Sequence, residues 1–441
     1  MNGERATTMN AWPLDRWDES LFGLAAEPTA PGPRLVTPAA GAGPVPAASA
    51  VAAPSRVLLW HWGRAGAGAK FTMELARELK GLPGVEVEVS SARGSELHGL
   101  APALGVPTHD VPTFEGGKSS WRGKAAAAFG LARMPLIARG FGHLLTERRI
   151  DVALCTMQAI WDAATLPSLS RGPTRSVMVL HDAFFHPGDE YPLRYAVLRR
   201  QIQAADALIV LSGHVRRQAI EAYGYPAERI WEMPHGAFGF GSGEVRPAVH
   251  PRGARPLRLL FFGRIVAYKG LDHLLRAQRL LRERGVEAEI VVAGSGSLEP
   301  HADLLAGLPG VEVHNRWLGD EEIAGFMAGA DVAVLPYVEA SQSGVAASAY
   351  AAGRPVVATP IGGLAEQVVD GETGLLARDM SVEALADAIR RFASDPELLD
   401  RCGAGALAHA RHELSWRRSA EVVADVVAAV RAMPRRIAAR D

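Results

Sequence analysis

From Arg56 onward, short apolar runs alternate with longer amphipathic stretches. Val57-Leu58-Leu59-Trp60 reads as a strand, followed by a glycine-rich turn from Gly63 to Gly68 and a helical pattern from about Ala69 to Leu79. Val85 to Val89 is the next strand. Val152 to Thr156, Ser176 to Leu180, Leu208 to Leu211 and Ile230 to Met233 follow. Near-continuous apolar runs of this length predict strands covered on both faces, and the helical patterns between them predict the covering layers of a parallel sheet. The alternation stops at Ala237 to Pro256, which Gly239, Gly241, Gly243, Pro247, Pro251 and Gly253 punctuate. It restarts with strands at Leu257 to Phe262, Glu289 to Ala293, Val311 to His314, Val332 to Leu335 and Pro355 to Ala358. Helical patterns lie between and beyond them, among them Leu271 to Arg284, Ser381 to Ser394 and Trp416 to Ala432. The expectation is an α/β protein of two Rossmann-like parallel-sheet domains, 56–236 and 257–415, joined by a linker at 237–256.

Composition narrows this only a little. A chain of 441 residues suits two domains of roughly 150–200 residues each. A formal net charge of −1 argues against a general nucleic-acid binder. The two cysteines, Cys155 and Cys402, stand far apart, outside any disulfide framework or zinc spacing, which fits a reducing, cytoplasmic setting. Residues 1–55 read as a flexible leader, Ala/Pro/Gly-rich from Ala25 to Pro54, with a short docking helix around Trp12, Trp17 and Phe22 as the lesser alternative. No apolar run is long enough to span a membrane, so any membrane contact is expected to be peripheral.

Ligands of open parallel sheets bind beyond the carboxyl ends of the strands, which directs attention to four loops. Gly63-Arg64-Ala65-Gly66-Ala67-Gly68 would let backbone approach a ligand at a helix N-terminus, or is simply a tight turn. Phe262-Gly263-Arg264 with Lys269-Gly270 places two cations at a strand end. They suit a diphosphate, or are solvated surface charges. Pro336 to Gly344 leads from a strand into an Ala-rich helix. There Ser341, Gln342 or Ser343 would cap, leaving N–H groups near Ser343, Gly344 and Val345 for a phosphate, with Ser348 one turn in. Leu180-His181-Asp182, followed by Phe184, Phe185, His186, Pro187 and Gly188, would face the cleft from the first domain. His181 would bond a sugar hydroxyl or shuttle a proton, Asp182 would orient it, and a structural histidine is the alternative.

These clusters, in this order, resemble the retaining GT-B glycosyltransferases of family 4. Most of residues 56–430 share the likeness, and the second half is its specific part. Phe262-Gly263-Arg264…Lys269-Gly270 carries it, as do the stretches from Gly353-Arg354-Pro355 to Gly362-Gly363-Leu364-Ala365-Glu366 and from Asp370-Gly371 to Gly374-Leu375-Leu376. Ser212, Arg216 and Pro234-His235-Gly236 look like the segment leading into the family's linker. Ser415-Trp416 resembles the start of a terminal helix that crosses back to complete the first domain. The resemblance implies that Arg264 and Lys269 hold the donor diphosphate and stabilise the leaving group. It likewise implies that His181 contacts the donor sugar, that Gly66 to Gly68 approach the diphosphate or the acceptor, and that Gln342 to Val345 offer backbone N–H groups. No metal and no cofactor are expected beyond a UDP- or GDP-linked sugar donor. The acceptor would be a glycan, a lipid-linked sugar or a small molecule.

One departure stands out. Many members carry two glutamates eight positions apart, one on the donor sugar and one on the ribose. Counted back from Gly353-Arg354-Pro355, those places fall on Ser341 and Ser348, and Glu339 lies nearby out of register. The stretch looks like a subgroup with Gln-Ser-Gly in this loop, and Glu366 becomes a candidate for contacts near the diphosphate or sugar. Two other readings are a degenerate scaffold that binds nucleotide sugars and, less favoured, a nucleotide-sugar 2-epimerase. The basic residues Arg122, Lys124, Arg133, Arg139, Arg148 and Arg149 within 121–149 suit either an anionic membrane surface or a solvated helix face.

Overall fold

The computed structural model describes residues 53–113, 130, 132–186, 192–241 and 243–436, with the backbone alone at 192 and 193. Residues 1–52, together with Arg122, Lys124, Pro187 and Gly188, lie outside the described residues. One sheet has seven parallel strands and the other six. The first comprises β1 (Ser55–His61), β2 (Val85–Ala92), β3 (Thr108–Val111), β4 (Val152–Cys155), β5 (Arg175–Leu180), β6 (Ala207–Val210) and β7 (Ile230–Glu232), in the order β3-β2-β1-β4-β5-β6-β7. The second comprises β8 (Leu257–Phe262), β9 (Ala288–Gly294), β10 (Val311–Asn315), β11 (Val332–Leu335), β12 (Val356–Ala358) and β13 (Gly374–Leu376), in the order β10-β9-β8-β11-β12-β13. Between β7 and β8 the described residues form neither helix nor strand.

β1 shows why apolar runs make these strands. Successive side chains point to opposite faces. Val57 and Leu59 enter one core with Phe71 and Leu75, while Leu58 and Trp60 enter another with Ile137 and Phe141. Every one of these residues is buried, and each leucine or valine contributes roughly 1.5–3 kcal/mol by leaving water. β3 and β13 do not stand out in the sequence pattern. Thr-His-Asp-Val is mostly polar, and Gly-Leu-Leu is too short to show a period.

The helix Trp416–Ala432 starts at Ser415, whose Oγ accepts from Arg418 N at 3.3 Å. Its Ala420, Val423, Val427 and Val430 recur at three- and four-residue intervals and pack into the first domain's core, although they follow the second domain in sequence. The helix Met134–Glu147 turns Ile137, Phe141 and Leu145 inward, with the Phe141 ring edge-on to both Trp60 and Trp62. These three side chains are thus packed against protein, while Leu136 of the same helix stays exposed. Arg148 is bound to Glu88 at 2.9 Å. No helix among the described residues is long and apolar enough to cross a membrane.

Both strand orders reverse beside the first strand of their sheet, at β1–β4 and at β8–β11. Chains leaving neighbouring strands there diverge to opposite faces and open a crevice at the carboxyl ends.

Candidate functional site

The two crevices face each other across a cleft of about 900 Å³. Gly66, His181 and His235 line it from the first domain, and Gly263, Arg264 and Gln342 from the second.

The first wall is built on neutral histidines. His181, at the end of β5, donates from Nε2 to the Thr156 carbonyl at 2.8 Å. A carbonyl can only accept, so the proton sits on Nε2 and Nδ1 keeps a free lone pair. Burial pushes the His181 pKa down, which leaves an acceptor for a ligand hydroxyl and no imidazolium at neutral pH. His61, at the end of β1, donates from Nδ1 to the Met157 carbonyl at 2.9 Å and is likewise depressed by burial. His235 donates from Nδ1 to the Gly236 carbonyl, and burial lowers it to about 4. The ring of Phe71 lies edge-on to both His181 and His235.

The glycine turn divides between two duties. Gly66 lines the cleft at φ +106°, and its N–H donates to Glu96 Oε2 at 3.1 Å. Gly68 turns inward instead. A Cβ there would lie 2.5 Å from the His61 ring, so its lack of a side chain makes room for that imidazole rather than for a ligand.

The second wall carries the cations. Gly263 follows β8 at φ +115°, and Arg264 beyond it lines the cleft. The Arg264 guanidinium donates to the Tyr268 hydroxyl at 3.1 Å. Lys269 stands behind it, off the cleft lining, with Nζ 3.8 Å from the centre of the Tyr337 ring. Desolvation lowers the lysine to about 8, so it is still mostly charged at pH 7. The helix Gly344–Ala351 begins in the cleft. Ser343 caps it, its Oγ accepting from Ala346 N at 3.4 Å, and the N–H groups of Gly344 and Val345 lie in the first turn, where the helix itself supplies no acceptor. Gln342 Oε1 is buried without a hydrogen-bond partner beside them. Ser348 lines the cleft but donates to the Gly344 carbonyl of its own helix at 2.8 Å.

Besides Gly68 and Lys269, four expected residues stand elsewhere. Ser343 is the cap beneath the cleft and is not in its lining. Ser341 faces the domain seam, where its carbonyl accepts from Ser212 Oγ at 2.8 Å. Asp182 also lies at the seam. Burial raises its pKa, but hydrogen bonds from His186 and Ser341 outweigh burial and hold it below the usual carboxylate range. Glu366 reaches across to the first domain rather than into the cleft. It binds Arg217 at 3.0 Å and accepts from His214 N at 3.3 Å, at the start of the helix Gly213–Tyr223, where a carboxylate meets unpaired N–H groups. Counting eight back from Ser348 gives Ala340, so the first place of the glutamate pair is Ala340 and not Ser341. Ala340 is buried, and Glu339 precedes it.

The strand-end rule would have found more had it been applied to every strand. Glu96 follows β2, Met157 follows β4, and Arg316 and Trp317 follow β10; all four line the cleft. Trp317 is 73% exposed, unusual for that side chain. Lys70 pairs with Asp320 across the seam, which no local pattern announces.

Two family models match the chain. One, described as glycosyl transferase 4-like domain, matches residues 66–236, and the other, glycosyl transferases group 1, matches residues 256–395. A D-inositol 3-phosphate glycosyltransferase of Streptomyces griseus is 38% identical over 212 residues, 43% of this chain and 45% of that protein. The chain spans about half the length of the curated relatives it matches. Among solved structures, Anabaena HepE in complex with UDP-glucose has a TM-score of 0.65 at 17% identity over 85% of this chain and 99% of that one. Sucrose-phosphate synthase from Thermosynechococcus elongatus has the same score, identity and coverage. With both halves matched in order and two parallel sheets facing across a cleft, the chain belongs to the GT-B glycosyltransferases of family 4.

Proposed function

We propose that the protein transfers a sugar from a nucleoside diphosphate sugar to a hydroxyl acceptor, with retention at the anomeric carbon and without a metal. One observation carries the reading: Arg264 and the N-terminus of the helix Gly344–Ala351 converge on the cleft opposite the free Nδ1 of His181. Arg264 forks two diphosphate oxygens, and the N–H groups of Gly344 and Val345 supply further donors. Lys269 adds a point charge by swinging off Tyr337. These groups stabilise the diphosphate as it leaves, while the acceptor hydroxyl attacks from the same face and passes its proton to the departing phosphate oxygen. His181 accepts from a donor-sugar hydroxyl, and the unpartnered Gln342 Oε1 accepts from another. The bound UDP-glucose of HepE makes UDP the first nucleotide to try. Contacts across the seam exclude water, which limits donor hydrolysis. The cytoplasm, where nucleotide sugars are made, is the setting this reading requires.

Thermal unfolding against UDP, GDP and their sugars tests this. One nucleotide is expected to raise the melting temperature of the wild type and not of Arg264→Ala. No shift at millimolar ligand would favour the scaffold reading, and an inverted product anomer would overturn retention.

A further inference from the structure

We propose that His186 is a positioning residue that couples contact between the domains to assembly of the Arg264 anion cradle. The inference rests on the transferase reading above.

His186 belongs to the first domain, five residues beyond His181, yet its side chain is 14% exposed because the second domain covers it. Both ring nitrogens meet carboxylates. Nε2 is 3.3 Å from Asp182 of its own loop, and Nδ1 is 3.1 Å from Glu339 of the loop that follows β11. Two carboxylates need two N–H donors, so the ring is an imidazolium. Its face stacks on Tyr268 of the second domain, with centroids 4.2 Å apart and planes 16° from parallel. Tyr268 is the residue whose hydroxyl holds Arg264, and Lys269 lies over the same ring at 5.5 Å. A cation from one domain therefore presses on the tyrosine that fixes the cradle of the other. The charged and titratable groups around His186 are Asp182 on its own loop, Tyr268 and Lys269 after β8, and Glu339 after β11. His214 and Arg264 lie one contact further out.

The arrangement also accounts for Glu339. The carboxylate closest in sequence to the vacant place at Ala340 is directed away from the cleft and onto His186. Separating the domains would remove both Glu339 and Tyr268 from the imidazolium, and Arg264 would lose the support that keeps its hydroxyl partner in place.

The experiment measures UDP affinity by calorimetry at pH 7.5 for the wild type, His186→Gln, His186→Arg, Glu339→Gln and the double variant His186→Gln/Glu339→Gln. Ligand-free small-angle scattering runs in parallel. His186→Gln is expected to weaken UDP by about tenfold, as coupled contacts of this kind do. His186→Arg keeps the charge, the stacking plane and a fork for both carboxylates, and should stay within about threefold of wild type. Glu339→Gln should resemble His186→Gln, and the double variant should be no worse than either. A larger radius of gyration is expected for His186→Gln. Wild-type affinity in His186→Gln, or additive losses in the double variant, would overturn the inference while leaving the transferase reading intact. Failure of the wild type to bind UDP or any other nucleotide would instead sink the transferase reading. In that event an unchanged radius for His186→Gln would overturn the domain coupling as well.

Discussion

His181 and His235 on the first wall of the cleft, with His61 behind them, differ from His186 at the seam in what their ring nitrogens meet. The first three each donate to one backbone carbonyl and keep a bare nitrogen. His186 meets a carboxylate on each side. All four are shielded from water, which penalises the charged form. On the wall the backbone hydrogen bonds fall short of that penalty, and His235 falls to about 4. At the seam burial lowers the pKa as well, but Asp182 and Glu339 overcome it and lift His186 to about 9. Burial alone therefore does not decide the charge of a histidine. The partner decides it, and the partner here follows from whether the loop faces its own sheet or the other domain.

The largest effect should come from acid. The folded-state pKa of His235 lies below the unfolded value of 6.5, so between about 6.5 and 4 the unfolded chain binds the extra proton and stability falls as pH falls. The full displacement corresponds to roughly 3 kcal/mol. Asp162, fully buried and raised to about 6, acts in the opposite direction over nearly the same range, since stability from its protonated form is lost as pH rises from about 4 to 6. The comparison is accordingly wild type against His235→Gln by urea denaturation at pH 4.5 and 7, where the variant should lose less stability on acidification. An equal loss in both would show that His235 takes up its proton without unfolding.

Next comes His181→Ala. A hydrogen bond that strengthens in the transition state predicts a fall in turnover of about 100-fold, with UDP affinity nearly unchanged. A matching loss of UDP affinity would move His181 from the sugar to the nucleotide.

The smallest effect is the alkaline one. His186 contributes stability that is complete below pH 6.5 and lost as pH rises through about 9. Lys269, lowered to about 8, works the other way above that pH, because its charged form is the disfavoured one in the fold. Measured against His186→Gln, the wild type should lose about 1 kcal/mol or less between pH 7 and 9.5, given the partial exposure of the pair. Glu339→Gln should move that loss to lower pH. An alkaline loss that survives in His186→Gln would belong to some other group.

The wall was easier to read in the sequence than the seam, for a physical reason. His181, Gly263 and Arg264 each come straight after a strand, Gly344 opens the helix that follows β11, and the carboxyl end of a parallel strand is a place that local sequence specifies. The positions of Ser341, Asp182, Glu366 and His186 depend on how two separate sheets meet, and no short window encodes that. Lys269 shows the mixture. Its loop was legible, but its seat over Tyr337 required knowing that β11 runs beside β8. Gly68 misled because glycine beside a cleft suggests a ligand, whereas this one faces an imidazole seven residues earlier in the chain.

The helix Trp416–Ala432 carries a consequence for how the molecule is made. It is translated after the second domain, yet Val423, Val426 and Val427 close the core that β1 opens. A ribosome must therefore deliver the whole second domain before the first can cover its apolar flank. Until then the nascent first domain exposes a groove suited to aggregation or to a chaperone. Premature termination just after Leu414 would damage the earlier of the two domains to be synthesised, and a reporter placed after Ala432 would sense folding of the seven-stranded sheet.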